Sequence, residues 1–157
     1  MSTILSGPQL RNIRLGSSPV LKSTGTLAAT TVALYTIAGG EVLITGMWGK
    51  VTTAITVANS YKLQLNPTTG DTGDLCAATD IGTNDSAAGS LLTFALATTT
   101  APPKLIAGSA SGGGYCGPLS AVVTTGQIES VSAGTDGVIA WYVTWVPLTD
   151  GATLVAA

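Results

Sequence analysis

The sequence contains no histidine, and Asp, Glu, Lys and Arg together make up only 9% of its 157 residues. Histidine is the most common general base and the most common ligand of transition metals, so a Ser–His or Cys–His nucleophile and an imidazole-based zinc site are both excluded. A soluble globular chain usually carries about 25% charged residues. Because a surface this poor in charge is weakly solvated, we expect much of it to be buried against other protein, and we expect no enzyme active site.

Long apolar runs are also missing, although 45% of the residues are hydrophobic. A membrane-spanning helix needs about 18 or more consecutive apolar residues. The best candidate, residues 32–48, is interrupted by glycines, threonines and Glu41. Polar residues interrupt the amino-terminal segment in the same way, which leaves no apolar region typical of a signal peptide. We therefore expect neither a membrane partner nor export by that route.

Positive charge is scarce as well, and the formal net charge is −2. Proteins that bind nucleic acid need a basic stripe that neutralises phosphates, so nucleic acid is not an expected partner. The two cysteines, Cys76 and Cys116, are far apart in a chain without an export signal, which favours free or buried thiols. A disulfide between them stays an alternative.

Carboxylates are the remaining candidates for catalysis or metal binding, and four of them fall in one loop-rich stretch: Asp71, Asp74, Asp80 and Asp85. Two carboxylates are enough for glycoside hydrolysis, and the segment from Asp80 to Asp85 has some resemblance to a calcium loop. Asp residues among Asn, Gly and Thr ordinarily accept backbone hydrogen bonds in turns. We favour the turn interpretation and predict no catalytic residue, metal or cofactor.

Residues 1–26 differ in composition from the remainder, because Pro8 and Pro19 stand among Gly and Ser and three of the six basic residues are found here. This predicts an extended amino-terminal arm, followed by one β-sandwich domain over residues 27–157. A first edge strand folded on its own domain is the alternative. Four residues of the arm are candidates for attachment to a larger partner: Leu10, Arg11, Ile13 and Arg14.

From Leu27 onward, short runs rich in Val, Ile, Thr, Tyr and Trp alternate with turn residues, a layout typical of an antiparallel β-sandwich. Gly39 and Gly40 can supply the positive φ angles that a tight turn needs, which predicts a hairpin between Ile37 and Val42. The predicted strands cover residues 32–37, 42–48, 51–57, 61–65, 91–96, 119–123, 127–131 and 138–146.

The final predicted strand is apolar on both faces. Odd positions from Ile139 to Trp145 fall on one face, and even positions from Val138 to Val146 fall on the other. One face of an antiparallel sheet is normally solvated. This strand therefore lies either at the centre of a sandwich with a covered outer face or at a subunit contact, for which we predict Trp141, Tyr142 and Trp145.

Seven segments between about residues 30 and 155 follow one another in a distinctive order: VALYTIAGG at 32–40, VLI at 42–44, GKVTT at 49–53, KLQLNP at 62–67, LCAATDI at 75–81, WYVTWVPL at 141–148 and DGA at 150–152. In this order they resemble virion structural proteins of tailed bacteriophages, of the capsid decoration (cement) and head-fibre type. The resemblance implies a β-sandwich of jelly-roll type, synthesised in the host cytoplasm. It further implies a homotrimer, bound to the major capsid protein on the capsid exterior.

Head-fibre and tail proteins share this style of sequence, so a receptor- or glycan-binding protein is the alternative. An exposed tryptophan beside Asp80 or Asp85 would favour it. A carboxylate-based glycan hydrolase is a third hypothesis, and it requires two carboxyl groups about 5 to 9.5 Å apart in a cleft.

Overall fold

A computed structural model of the chain describes residues 6–16, 18–94, 105–107 and 120–157. These residues form one helix and twelve strands. The helix α1 spans Gly7–Leu15, and the strands are β1 (Val20–Thr26), β2 (Thr31–Ala38), β3 (Val42–Thr53), β4 (Ser60–Pro67), β5 (Gly73–Asp74), β6 (Thr79–Asp80), β7 (Leu91–Phe94), β8 (Leu105–Ala107), β9 (Ala121–Val123), β10 (Gly126–Ser132), β11 (Val138–Pro147) and β12 (Thr153–Ala156).

The strands form two antiparallel sheets that pack face to face. Sheet A has the order β1-β11-β3-β7-β8, and β9 pairs with β3 as well. Sheet B has the order β12-β2-β10-β4-β5, and β6 pairs with β4 as well. The chain changes sheet at most of its connections, so each sheet is assembled from strands that are distant in sequence. The predicted all-β sandwich is confirmed.

The core lies between the sheets, with Trp141 as its largest fully buried side chain. The Trp141 ring stacks on Tyr61, with ring centroids 6.2 Å apart, and its Nε1–H donates a hydrogen bond to Tyr61 Oη at 2.8 Å. This bond lets two polar aromatic groups be buried with their hydrogen-bonding capacity used. The face of β11 that holds Ile139, Trp141 and Val143 is therefore the inner face.

The segment predicted as an extended arm contains a helix and an edge strand instead. Ser6 and Gln9 form a capping box at the start of α1, and Pro8 lies in its first turn, a combination that begins helices. Strand β1 pairs with β11 from Val20 onward, so the sandwich begins before Leu27. The prediction of an extended arm was wrong for these residues, and the alternative, a first edge strand, holds for β1.

The predicted hairpin at Gly39 and Gly40 was also wrong, because β2 lies in sheet B and β3 lies in sheet A. Both glycines do have positive φ, of 77° and 146°. A Cβ atom at Gly39 would lie 2.4 Å from the carbonyl oxygen of Gly151, so the close approach of two backbones requires glycine there. The two glycines allow the chain to turn from β2 in sheet B to β3 in sheet A.

Several predicted strands differ from the structure in where they begin or end. The strands predicted at 42–48 and 51–57 are the single strand β3, apart from the last four residues of the second. Residues 95, 96 and 119, at the ends of two predicted strands, lie outside the described residues, and so does Cys116. No helix in the described ranges is long and apolar enough to cross a bilayer.

Candidate functional site

The outer face of sheet A carries large apolar side chains on four strands. Strand register places Leu21 of β1 and Trp48 of β3 on either side of Tyr142 in β11. It also places Leu43 of β3 between Val146 and Val122. Directly opposite residues of an antiparallel pair point to the same face. We call the resulting set the apolar face: Leu21, Leu43, Trp48, Val122, Tyr142 and Val146.

An aromatic stack forms part of the apolar face. The rings of Trp48 and Tyr142 lie 5.4 Å apart between centroids and within 5° of parallel, and both side chains are half-buried. Leu21 and Val122 are 53% and 59% exposed. Among the described strand residues of this outer face, Lys50 is charged, and Glu41 lies just before β3, two positions from Leu43. Exposed apolar patches mark sites of contact with protein, membrane or ligand, and aromatic anchors carry much of the binding energy in protein contacts.

The three residues predicted for the subunit contact separate in the structure. Tyr142 lies on the apolar face, whereas Trp141 has no exposed surface and belongs to the core, so it cannot itself touch a partner. Trp145 is half-buried and packs against the core from the inner face, opposite Ile44. The assignment of Trp141 is therefore corrected, because alternation separates two faces without showing which one is inside.

The four residues predicted for attachment to a partner lie on α1. Leu10 and Ile13 are 53% and 70% exposed, and residues three positions apart share one side of a helix. Arg11 and Arg14 belong to the same helix. At its end, Gly16 is buried with φ of 87°, and a Cβ atom there would lie 2.3 Å from the carbonyl oxygen of Trp145. The helix is thus held to the body at its carboxyl end, while two apolar side chains point away from it.

The outer face of sheet B is polar, in contrast to that of sheet A. Glu129 is only 8% exposed, and its two carboxylate oxygens accept hydrogen bonds from Gln64 Nε2 at 2.8 Å and Asn66 Nδ2 at 3.0 Å. Beside them, Lys62 and Asp74 form an ion pair of 2.6 Å. The two outer faces therefore differ in kind, and only that of sheet A is suited to burial against apolar protein.

Asp80 organises a turn. Its Oδ1 accepts hydrogen bonds from the backbone N–H groups of Asn59, Gly82 and Thr83 at 2.9 to 3.1 Å, and its Oδ2 accepts one from the Thr83 hydroxyl. The Thr83 hydroxyl and these N–H groups hold the pKa of Asp80 well below its usual range. The turn interpretation is confirmed for Asp80. In the part of the chain that the structure describes, no three His, Cys, Asp or Glu side chains are grouped to hold a metal ion.

We expect Asp80→Asn to make stability less sensitive to acid. Because the pKa of Asp80 is lower in the folded state than its ordinary value of 3.8, its contribution is present above that pH and is lost as the pH falls below it. The urea midpoint of the wild type should therefore fall more steeply between about pH 5 and pH 2 than that of the variant. Asp150→Asn, at an exposed turn, makes the same charge change and serves as the control. Parallel curves for Asp80→Asn and wild type would contradict this role.

Cys76 is a free, fully buried thiol. Its Sγ accepts a hydrogen bond from the backbone N–H of Leu63 at 3.2 Å, and burial raises the pKa of the thiol to about 11. The disulfide alternative therefore does not hold for Cys76. Because only a small fraction of this thiol is ionised at neutral pH, Cys76 is a core residue rather than a nucleophile.

For Asp80, the structure does not show the neighbouring exposed tryptophan that would favour glycan binding. All three tryptophans lie on strands of sheet A, whereas Asp80 lies on β6 at the edge of sheet B. The carboxylate of Asp80 is engaged by its own turn. Comparisons of the chain with protein-family models, with curated proteins and with solved structures found no match.

Proposed function

We propose that the protein is a capsid decoration (cement) protein of a tailed bacteriophage, which binds the major capsid protein on the exterior of the head as a homotrimer. The observation that carries this proposal is the apolar face of sheet A, with the half-buried stack of Trp48 and Tyr142. Removing such a surface from water gains about 25 cal/mol per Å² before the costs of association are subtracted. A cement protein repeats this gain over the whole shell.

The strand order supports the jelly-roll part of the proposal. In sheet A the order β1-β11-β3-β7, and in sheet B the order β2-β10-β4-β5, correspond to two interlocked Greek keys whose strands alternate between sheets. Jelly rolls occur in viral capsid proteins and in lectins. Since a fold alone does not determine function, we base the capsid role on the resemblance to phage virion proteins and on the apolar face of sheet A.

Within the proposal, Tyr142 and Trp48 form the aromatic anchor of a protein contact. Trp141 and Trp145 support this contact from the inner side of the same sheet. Charged groups are costly to bury at a contact unless they are paired, so the low charge content of the chain suits this role. Attachment to the shell through residues 10–14 stays a prediction from the sequence.

The proposal is tested by adding purified protein back to phage heads that have been stripped of their outer proteins. We expect the wild type to co-sediment with the heads. Val122→Asp should reduce binding by at least about tenfold, because it places an unpaired carboxylate in an apolar contact. Val155→Asp is the matched control, since Val155 is a strand valine that is 53% exposed on the outer face of sheet B.

Two results would contradict the proposal. The first is a wild-type protein that does not bind heads at saturating concentration. The second is equal loss of binding in Val122→Asp and Val155→Asp, since the apolar face would then have no special role.

A further inference from the structure

A closed trimer needs two different surfaces on each subunit, because a three-fold contact always joins one patch to a different patch of the next copy. The apolar face is one such surface, given the proposed homotrimer on which this assignment rests. Outside it, the exposed large apolar side chains of the described residues are Leu10, Ile13, Val57, Leu148 and Val155. Of these, Leu10 and Ile13 share one side of a single element.

We propose that α1 of one copy packs the side that carries Leu10 and Ile13 onto the apolar face of the next copy. These two side chains are 53% and 70% exposed, so the fold of their own chain does not use them. The carboxyl end of the helix is fixed, since Gly16 lies against the carbonyl oxygen of Trp145. A helix covering the outer face of a sheet is one of the ordinary layer arrangements of proteins.

The charges of the two surfaces permit this contact. Residues 6–16 contain no Asp or Glu and two cations, Arg11 and Arg14, and the six residues of the apolar face are uncharged. Helix and apolar face therefore bring no carboxylate of their own into the contact, and Glu41 lies beside Leu43 at its edge. Lys50 is exposed, and its long side chain can keep the ammonium group in water at the rim. A helix of nine residues is marginal by itself in water. Packing on a neighbour therefore stabilises α1 as well as covering the aromatic stack.

A second copy is a better occupant than the shell protein, because the chain supplies both halves of the contact. If Leu10 and Ile13 met the shell instead, the three-fold contact would lack its second apolar surface. Shell attachment by α1, as predicted from the sequence, is the competing role, and oligomeric state separates the two.

The test uses two variants that block opposite halves of the contact. Ile13→Asp blocks the helix and Val122→Asp blocks the apolar face, and both side chains are exposed in the single chain, which keeps folding intact. By sedimentation velocity we expect a wild-type trimer and a monomer for each variant alone. An equimolar mixture should give a dimer, since the helix of Val122→Asp can still occupy the face of Ile13→Asp. Ile13→Ser repeats the test without a new charge.

Each other outcome overturns the contact. A trimer formed by Ile13→Asp alone would exclude α1 from the subunit contact and leave it for the shell. A dimer of Ile13→Asp alone would mean that apolar faces meet each other, and a monomeric mixture would mean that helix and face do not meet. A wild-type protein that binds heads as a monomer would refute the closed trimer but leave the decoration role intact. A wild-type protein that never binds heads would refute the proposed function itself.

Discussion

Trp141→Ala is expected to lower the free energy of unfolding by about 3–5 kcal/mol, the range for truncating a large aromatic residue in a core. Trp141 has no exposed surface, stacks on Tyr61 and lies 6.3 Å from Phe94 between ring centroids. The variant creates a cavity between the two sheets and removes the donor to Tyr61 Oη. Urea unfolding followed by far-ultraviolet circular dichroism measures the loss, at a protein concentration low enough to keep association from adding to stability.

Two controls define what the result means. Trp141→Phe keeps most of the ring but lacks the Nε1–H group, so it should lose about 1–3 kcal/mol. Trp48→Ala removes a half-buried tryptophan from the outer face and should cost less than Trp141→Ala, because the space it leaves is open to water. If Trp48→Ala were as destabilising as Trp141→Ala, the assignment of inner and outer faces of sheet A would be wrong.

Asn59→Ala should lower the free energy of unfolding by about 2–4 kcal/mol, because it leaves buried backbone groups without partners. Asn59 is 1% exposed, and its Oδ1 accepts hydrogen bonds from the backbone N–H groups of Ala133 at 3.0 Å and Gly134 at 2.9 Å. Its Nδ2 donates to Ser132 Oγ at 3.0 Å. Asn59 thus ties the start of β4 to the connection by which the chain leaves β10 for the other sheet. Thermal and urea unfolding both measure the effect.

Ser132→Ala is the matched control for Asn59, since it removes one hydroxyl and keeps the two backbone N–H groups that donate to Asn59 Oδ1. We expect it to cost about 1 kcal/mol. An Asn59→Ala protein within about 0.5 kcal/mol of wild type would behave like an ordinary surface variant and would show that water replaces the amide at this position.

The sequence predicts the long strands better than the short ones, for a physical reason. In β11, alternation extends over enough residues to reveal two faces. Strands β2 and β10 contain β-branched residues, and β4 alternates Tyr61, Leu63 and Leu65 with polar residues. Strands β5 and β6 have two residues each, and they exist because they pair with β4. No local pattern of two residues encodes such a pairing, which depends on tertiary contacts.

The sequence shows where strands occur more readily than it shows which strands pair with one another. Gly39 and Gly40 indicate a sharp change of chain direction, but a local turn signal does not show which sheet contains the next strand. The helix α1 was missed for a different reason. Ser6, Pro8 and Gln9 form a helix start signal, but the Gly, Ser and Pro content of residues 1–26 favoured an extended arm.

The candidate site shows this limit most clearly at Trp48. Tyr142 was predicted for a contact from the alternation of its own strand, but its stacking partner was missed. The register of β11 with β3 shifts at Thr45, so the side of β3 on which alternate residues lie changes there. Leu43 and Trp48 consequently share a face although they are an odd number of positions apart. Only the pairing with β11 reveals that Trp48 belongs to the apolar face.

The claim that the apolar face is covered by protein in the assembled state is tested most directly by hydroxyl-radical footprinting, read residue by residue by mass spectrometry. The protein is compared as a dilute monomer and after binding to stripped heads. We predict that oxidation of Leu21, Trp48 and Tyr142 falls several-fold on assembly while that of Val155 stays unchanged. Equal oxidation of Trp48 and Tyr142 in both states, with the protein demonstrably bound, would contradict the account.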